Sequence, residues 1–343
     1  MELNDLQSKV EEHLATVWSE AVQIKDLVHL SGGACQDNYS LSLKKANDQM
    51  DLVLRTDKGG SLLSSLSKRD EFKVAQLVFG ASVKTPKPIL LEENPNIIGA
   101  PFFLMEKIKG KATGRYITKD KELDAYRKSK MVSDLASNLA KLHTIKPSAV
   151  LDETLKQRLQ YTPKESYIQK TLNDLKTSLD DLPEAHPAIE LCLLWMEEHI
   201  PNIDEIVLVH GDFRTGNFMM DVSGLQGILD FEFAHFGDRH EDIAWLCMRD
   251  WRFGRLNKEV GGFGDRKDFY AEYEKTSGIP VDSQIVSYYE VLGNLRWAIG
   301  SAGQAERHLS GKDKGIELAA IGRRTAEMEW EAMRIIEELD RAI

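Results

Sequence analysis

One stretch of the chain holds side chains whose types and spacing could move a phosphate group. Residues 207 to 245 read VLVHGDFRTGNFMMDVSGLQGILDFEFAHFGDRHEDIAW. His210, Asp212 and Asn217 make the pattern H-x-D-x-x-x-x-N, and Asp230 follows thirteen positions after Asn217, at the end of an apolar run. Phe218 to Asp221 and Leu225 to Leu229 read as two short strands, with Ser223-Gly224 as the turn between them. A hairpin brings its two ends together, so Asn217 and Asp230 are expected side by side. An amide oxygen and a carboxylate so placed suit Mg²⁺, a hard cation that takes carboxylate, amide, water and nucleotide-phosphate oxygens. Asp212, one loop-width away, is expected to face an acceptor hydroxyl and take its proton. A lone H-x-D pair is an ordinary feature of polar loops; the spaced Asn and the later strand-end Asp are what make the pattern chemical.

The spacing is that of the protein-kinase catalytic loop, and Asp230 stands where a kinase carries its D-F-G. The chain resembles the aminoglycoside phosphotransferase and choline kinase superfamily, which shares the kinase fold. Within it the likeness is to the broad branch described simply as a phosphotransferase family, and to the kinase domain fused to some acyl-CoA dehydrogenases. SGGACQDNYSL, LVLRTD, KRDEFKVAQLV, GAPFFLMEKIKG, LASNLAKLH, HGDFRTGNF, ILDFEFAHFGDRHEDIAWL and ELAAIGRR carry it, from about residue 30 to about residue 325. The resemblance implies an α+β, two-lobed, protein-kinase-like fold. Its small antiparallel-sheet N-lobe, residues 1–106, would bind nucleotide. A mainly helical C-lobe, residues 107–343, would carry catalysis and the acceptor.

Composition sets the outer bounds. A chain of 343 residues, 42% hydrophobic and 29% charged, has the make-up of a water-soluble globular protein with room for two cores. A net charge of −11 argues against nucleic-acid or anionic-membrane partners. Cys35, Cys192 and Cys247 are odd in number and far apart, which favours free thiols over a disulfide framework or zinc site. MELNDLQSKVEEHL lacks an apolar signal core, and no run approaches the ~18 apolar residues of a membrane span, so a cytoplasmic location is expected.

The elements that must position the chemistry can be read upstream. Leu3, Leu6, Val10, Leu14 and Val17 recur at spacings of three and four, predicting an amphipathic helix. Ile24 to Leu30 reads as a strand, followed by Ser31-Gly32-Gly33 and, through Asn38, a second strand to Leu43. Strand, glycine loop, strand lets backbone N–H groups approach phosphate oxygens, although a glycine pair also makes a plain hairpin turn. Met50 to Arg55 is the next strand. Where a kinase presents a lysine to the phosphates, this chain has Arg55, which keeps the charge and can grip phosphate bidentately but is longer and planar. The resemblance makes Arg55 the phosphate residue; a strand-end surface arginine is the plainer alternative. Ser67-x-x-Asp70 starts a capped helix running to about Phe79. Glu71, in its first turn, is the expected partner of Arg55 by the kinase pattern, with Asp70 as the fallback; the helix dipole alone would also favour an acid there. After the apolar strand Pro101 to Met105, the resemblance assigns the Glu106 carbonyl and the Ile108 N–H to adenine.

Downstream, Met131, Leu135, Leu139 and Leu142 mark one face of a helix. Residues 151 to 206 read as helical and carry 12 acidic against 5 basic residues. That charge suits a cationic acceptor or a plain solvated surface. Asp242, in GDRHEDIAW, is expected to anchor the catalytic segment. Arg214 could reach a transferring phosphate or hold its own loop through an ion pair. With Arg239, Arg252 and Arg255 it forms a cluster in sequence that points to a neutral or anionic acceptor.

The function expected is that of a phosphotransferase with an alcohol group as acceptor. ATP or GTP is the donor, Asp212 and Arg214 act at the reaction centre, and Asn217 and Asp230 bind Mg²⁺. Ser31, Gly32, Gly33, Asn38, Arg55, Glu71, Glu106 and Ile108 would hold the nucleotide. The alternative is a nucleotide-binding pseudokinase with a regulatory role, which the intact set Asp212, Asn217 and Asp230 disfavours. A two-metal phosphohydrolase would need denser His/Asp clustering. The acceptor itself stays open, among aminoglycosides, choline-like amines, amino acids, macrolides and hydroxyacyl thioesters.

Overall fold

The computed structural model of the protein describes residues 2–30, 36–46, 48–57, 65–312 and 315–341. Ser31, Gly32 and Gly33, expected to approach phosphate, lie outside the described residues, as does Cys35. The chain divides into two compact units, residues 1–112 with 216–234, and residues 113–215 with 235–343.

The first unit is built on a five-stranded antiparallel sheet. Its strands are β1 (Val22–Leu30), β2 (Gln36–Lys45), β3 (Asp48–Asp57), β4 (Pro88–Glu92) and β5 (Phe102–Glu106), in the order β1-β2-β3-β5-β4. Helix α1 (Leu3–Trp18) lays Leu6, Val10 and Leu14 into a core with Ile24, Leu41, Leu43, Leu52, Leu54, Phe102 and Leu104. Its outer positions Leu3 and Val17 stay exposed, so only the middle of the stripe is core. Helix α2 (Lys68–Gly80) begins where the Ser67 hydroxyl accepts the Asp70 N–H at 3.2 Å, meeting one of the unpaired donors of a helix start. The register sets Asn38 of β2 opposite Arg55 of β3, on one face of the sheet.

The hairpin Phe218–Asp221 and Gly224–Ile228 belongs to this unit. Asp221 Oδ1 accepts the Ser223 N–H at 2.7 Å, and Gly224 takes φ +117°, a conformation that favours glycine. The hairpin docks on the segment between α2 and β4. Ile228 N–H donates to the Lys84 carbonyl at 2.8 Å, Lys84 Nζ to the Leu225 carbonyl at 3.0 Å, and Thr85 Oγ1 to the Ile228 carbonyl at 2.9 Å.

The second unit is mostly helical. Met131, Leu135, Leu139 and Leu142 are fully buried along the helix Ala125–Leu142. Residues 151–206 form helices Glu153–Arg158, Lys164–Asp180 and Pro187–Glu198. A short antiparallel pair, Val207–Val209 with His235–Gly237, brackets the catalytic stretch. The unit ends in the helices Ser283–Leu309, Ile316–Gly322 and Thr325–Asp340. No helix among the described residues is long and apolar enough to cross a membrane.

Candidate functional site

In the first unit the polar centre is a buried relay of charge. Arg55, on β3, is 6% exposed. Its Nε lies 2.7 Å from Glu71 Oε1 on α2, and its other end meets Asp230 at the end of the hairpin. Glu71 is held a second time, by Lys68 Nζ at 2.8 Å, and Lys68 also reaches Asp57 at 3.3 Å. Burial would lower the Arg55 pKa, but the carboxylates of Glu71, Asp230 and Glu232 outweigh it and raise it. Arg55 therefore stays charged.

Asn217 and Asp230 flank the open end of the hairpin, where the Leu229 N–H donates to the Asn217 carbonyl at 2.8 Å. Asp230 sits at φ +69°, in the left-handed region that Asp tolerates better than most residues. This turn aims its carboxylate back at Arg55. Among the described residues, Asn38 Oδ1 is buried without a hydrogen-bond partner, as is Gln36 Oε1. Glu106 ends β5 with its N–H on the Lys87 carbonyl at 2.9 Å, and Ile108 covers the Cβ position that Gly227 leaves empty.

Glu232 is a site residue that motif reading passed over. It is 9% exposed, accepts from Gln36 Nε2, and its carbonyl takes the Leu66 N–H at 2.7 Å. Burial, then the neighbouring Asp230 carboxylate, pushes its own carboxyl up to about 7, with Arg55 and Gln36 pulling the other way. The signal was in the sequence: the D-F-E of residues 230–232 puts an acid where the kinase pattern has glycine.

The second unit holds Asp212, which is 9% exposed. Arg214 Nε donates to both carboxylate oxygens, at 2.8 and 3.0 Å, and the Trp245 indole N–H donates to Oδ1 at 2.8 Å. The Arg214 guanidinium lies over the Trp251 ring, 4.6 Å from its centroid. Beneath the loop, fully buried Asp242 accepts the backbone N–H groups of His210 at 2.7 Å and Gly211 at 3.0 Å, and lies 3.1 Å from His143 Nε2. His143 Nδ1 in turn meets the Tyr273 hydroxyl at 2.8 Å. Burial lowers the His143 pKa, although Asp242 opposes it. Thr215 Oγ1 donates to the Gly261 carbonyl at 2.9 Å, and a Cβ at Gly261 would come within 2.4 Å of that hydroxyl. The anchoring expected of Asp242 thus has a definite form: its carboxylate takes the place of the backbone partners that the turn at residues 210–211 lacks.

The arginine cluster read from sequence proximity is corrected here. Arg239 is buried on Glu205 at 3.2 Å. Arg252 donates to the Cys247 carbonyl at 2.7 and 3.1 Å and to the Leu256 carbonyl at 3.1 Å. Arg214 is engaged with Asp212, and Arg255 is exposed. Arginine side chains are long, and neighbours in sequence fold back onto local carbonyls and acids rather than converge.

The donors of the first unit suit magnesium shared with phosphate, not a protein-only cage. Among the described residues no group of three or more His, Cys, Asp or Glu could hold an ion. Mg²⁺ is usually held by one or two carboxylates, waters and substrate phosphates. Asn217 and Asp230 would supply one amide and one carboxylate, and the carboxylates of Glu71, Asp230 and Glu232 gathered around Arg55 leave negative charge that a cation would relieve.

The profile of the phosphotransferase enzyme family matches residues 26–279. Acyl-CoA dehydrogenase family member 10 of Mus musculus is 27% identical over 330 residues, covering 89% of this chain and 29% of that protein. The chain spans about a third of the length of the curated relatives it matches. Among solved structures, a candidate aminoglycoside phosphotransferase from Ralstonia eutropha JMP134 aligns with TM-score 0.73 and 21% identity, over 95% of this chain and 98% of that one. A spectinomycin phosphotransferase in complex with ADP and spectinomycin aligns with TM-score 0.62 and 13% identity, over 95% and 98%. The fold is kinase-like and α+β, with a small antiparallel sheet towards the N-terminus and a helical C-terminal part. With the family profile running across well over half of its length, this chain belongs to the phosphotransferase enzyme family.

Proposed function

We propose that the protein transfers the γ-phosphate of ATP or GTP to a hydroxyl of a small molecule. The observation that carries this reading is the buried relay Glu71–Arg55–Asp230, with Asp230 following the Leu229 whose N–H donates to the Asn217 carbonyl. A fixed positive charge beside the Asp230 carboxylate supports a nucleotide-phosphate site with a shared cation. In this reading residues 1–106 form the nucleotide-binding lobe, and residues 107–343 carry catalysis and the acceptor while lending Ile108, Asn217 and Asp230 to the nucleotide and its cation.

Asn217 and Asp230 would hold Mg²⁺, which, when bound, neutralises charge on the phosphates. Arg55 steadies the phosphates, and Glu71 fixes the direction of its guanidinium. Asn38 offers its unpartnered carbonyl oxygen to the nucleotide, and the backbone of Glu106 and Ile108 serves the adenine. Asp212 orients the acceptor hydroxyl and takes its proton. The acceptor oxygen forms a bond to the γ-phosphorus while the bond to the β–γ bridging oxygen breaks, and the nucleoside diphosphate leaves with that electron pair. Arg214 and Trp245 hold Asp212 in one rotamer and are positioning residues. The buried free thiols of Cys192 and Cys247 suit the reducing cytoplasm.

The test is nucleotide binding followed by melting temperature. Mg-ATP or Mg-GTP at a hundred times Kd should stabilise the protein by about 2.7 kcal/mol. Asp230→Ala should remove the magnesium-dependent part of that shift. No shift with either nucleotide in folded protein would count against the proposal.

A further inference from the structure

Lys68 is a buried cation to which the proposed reaction gives no part. Its side chain is 1% exposed, in the first turn of α2 directly after the Ser67 cap. Lysine is almost never fully buried unless it is paired. The position adds a second cost, because the N-terminal end of a helix carries a partial positive charge that disfavours a cation. A buried ion pair is often no better for stability than an apolar residue of similar volume. A methionine at residue 68 would fill the space without either cost. The ammonium therefore calls for a role beyond packing.

Its neighbours supply one. Along β3, Arg55 and Asp57 lie two residues apart and so share a face. Along α2, Lys68 and Glu71 lie three apart and meet on one side of the helix. The four side chains form a row of alternating charge. Lys68 Nζ lies 3.3 Å from Asp57 Oδ1 and 2.8 Å from Glu71 Oε2, and Glu71 Oε1 lies 2.7 Å from Arg55 Nε. The Glu71 carboxylate is thus divided, one oxygen to each cation.

That division limits the hold of Glu71 on Arg55. A carboxylate without a second partner offers both oxygens to a guanidinium fork. Arg55 also meets Asp230, with the Glu232 carboxylate close by. Three acids set against one guanidinium would leave little positive potential for a phosphate. Lys68 returns one unit of charge to the cluster and occupies the second oxygen of Glu71. Its other partner, Asp57, is 32% exposed and is partly compensated by water.

We infer that Lys68 is a positioning residue for phosphate recognition. It holds Glu71 through Oε2, and in doing so leaves the Arg55 guanidinium able to take a nucleotide phosphate. Lys68 acts through Glu71, and Arg55 makes the contact. This rests on the phosphotransferase reading and adds to it the residue that keeps Arg55 available.

The experiment measures dissociation constants of Mg-ATP, Mg-GTP, adenosine and guanosine for the full chain by titration calorimetry. The nucleosides carry no phosphate and serve as the internal control. Lys68→Met should weaken the better Mg-nucleotide about tenfold, the scale of one charge-assisted hydrogen bond, and leave its nucleoside unchanged. Lys68→Arg keeps the charge and should recover most of the loss. In a Glu71→Gln background the same Lys68→Met change should cost about threefold at most, since the residue through which it acts is gone. Should Lys68→Met not fold, Lys68→Gln removes the charge while keeping hydrogen-bonding atoms, and should weaken the Mg-nucleotide in the same direction. A folded neutral variant that melts lower yet binds Mg-nucleotide like wild type overturns the inference. So does an equal loss for nucleoside and Mg-nucleotide, or a full loss retained in the Glu71→Gln background. A wild-type chain that binds neither Mg-nucleotide sinks the phosphotransferase reading, and this inference with it.

Discussion

Replacing Asp242 tests the claim that one buried carboxylate holds the catalytic turn. Its Oδ2 accepts the His210 N–H at 2.7 Å and faces His143 Nε2 at 3.1 Å, while its Oδ1 accepts the Gly211 N–H at 3.0 Å. Asp242→Ala strands two backbone donors and His143 Nε2, while His143 Nδ1 keeps the Tyr273 hydroxyl. Each stranded buried group costs roughly 1–3 kcal/mol, so the three together should reach about 3–9 kcal/mol. Asp242→Asn behaves differently. With its oxygen at the Oδ2 position the amide keeps the bond to His210, and its NH₂ then confronts only the Gly211 N–H. One lost bond predicts about 1–3 kcal/mol. For a unit of roughly 200 residues each kcal/mol lowers Tm by about 2–4 °C. Thermal unfolding by circular dichroism should therefore rank wild type above Asn above Ala, with at least 6 °C between the extremes. An Ala variant melting within 2 °C of wild type would show that the turn stands without Asp242.

Three other outcomes follow from geometry already described. Asp212→Asn should leave the Mg-nucleotide melting shift in place while abolishing transfer to a confirmed acceptor; an equally active variant would remove Asp212 from its role. Arg55→Met leaves Asp230 without its cation and Glu71 with Lys68 alone, and should cost about 3–5 kcal/mol, read by urea unfolding, whereas Arg55→Lys should cost less because it keeps the charge. The third outcome concerns pH. Burial opposes ionisation of Glu241, but Arg296 at 2.7 Å, His235 and Tyr167 hold its carboxyl at about 2, below the ordinary 4.5. That ion-pair stability is fully present above pH 4.5 and is lost as pH falls towards 2, on the order of 3 kcal/mol in all. The stability gap between wild type and Glu241→Gln should therefore close across that interval in denaturant titrations, and a gap constant with pH would contradict the assignment.

What the sequence disclosed was local. The α1 stripe, the Ser67 cap and the 218–228 hairpin each follow from residues within a few positions of one another, where periodicity and turn chemistry speak directly. The Arg55–Glu71 pair was expected from the kinase pattern, with Asp70 as the fallback, and the 2.7 Å ion pair falls on Glu71. The supports of Asp212 were not legible. Trp245 reaches it from 33 residues away, and His143 reaches Asp242 from 99 away, through packing that no local pattern encodes. The arginines near the catalytic stretch show the converse. Closeness in sequence was read as closeness of purpose, yet Arg239 and Arg252 turn to Glu205 and to local carbonyls.

The docking of the 218–228 hairpin on Lys84 and Thr85 has a consequence for synthesis. The first unit takes residues 1–112 together with residues 216–234. When residue 112 has been made, the Lys84 carbonyl still lacks the Ile228 N–H that it accepts in the finished fold. Roughly 120 more residues must follow before that partner exists, a wait of about 6–24 s at the usual pace of translation. During that interval the edge of the nascent unit is open to other chains and to chaperones. The segment that completes the sheet-bearing unit also carries Asn217 and Asp230. A ribosome stalled before residue 230 would therefore hold a chain that can neither close its first unit nor place the Asp230 carboxylate.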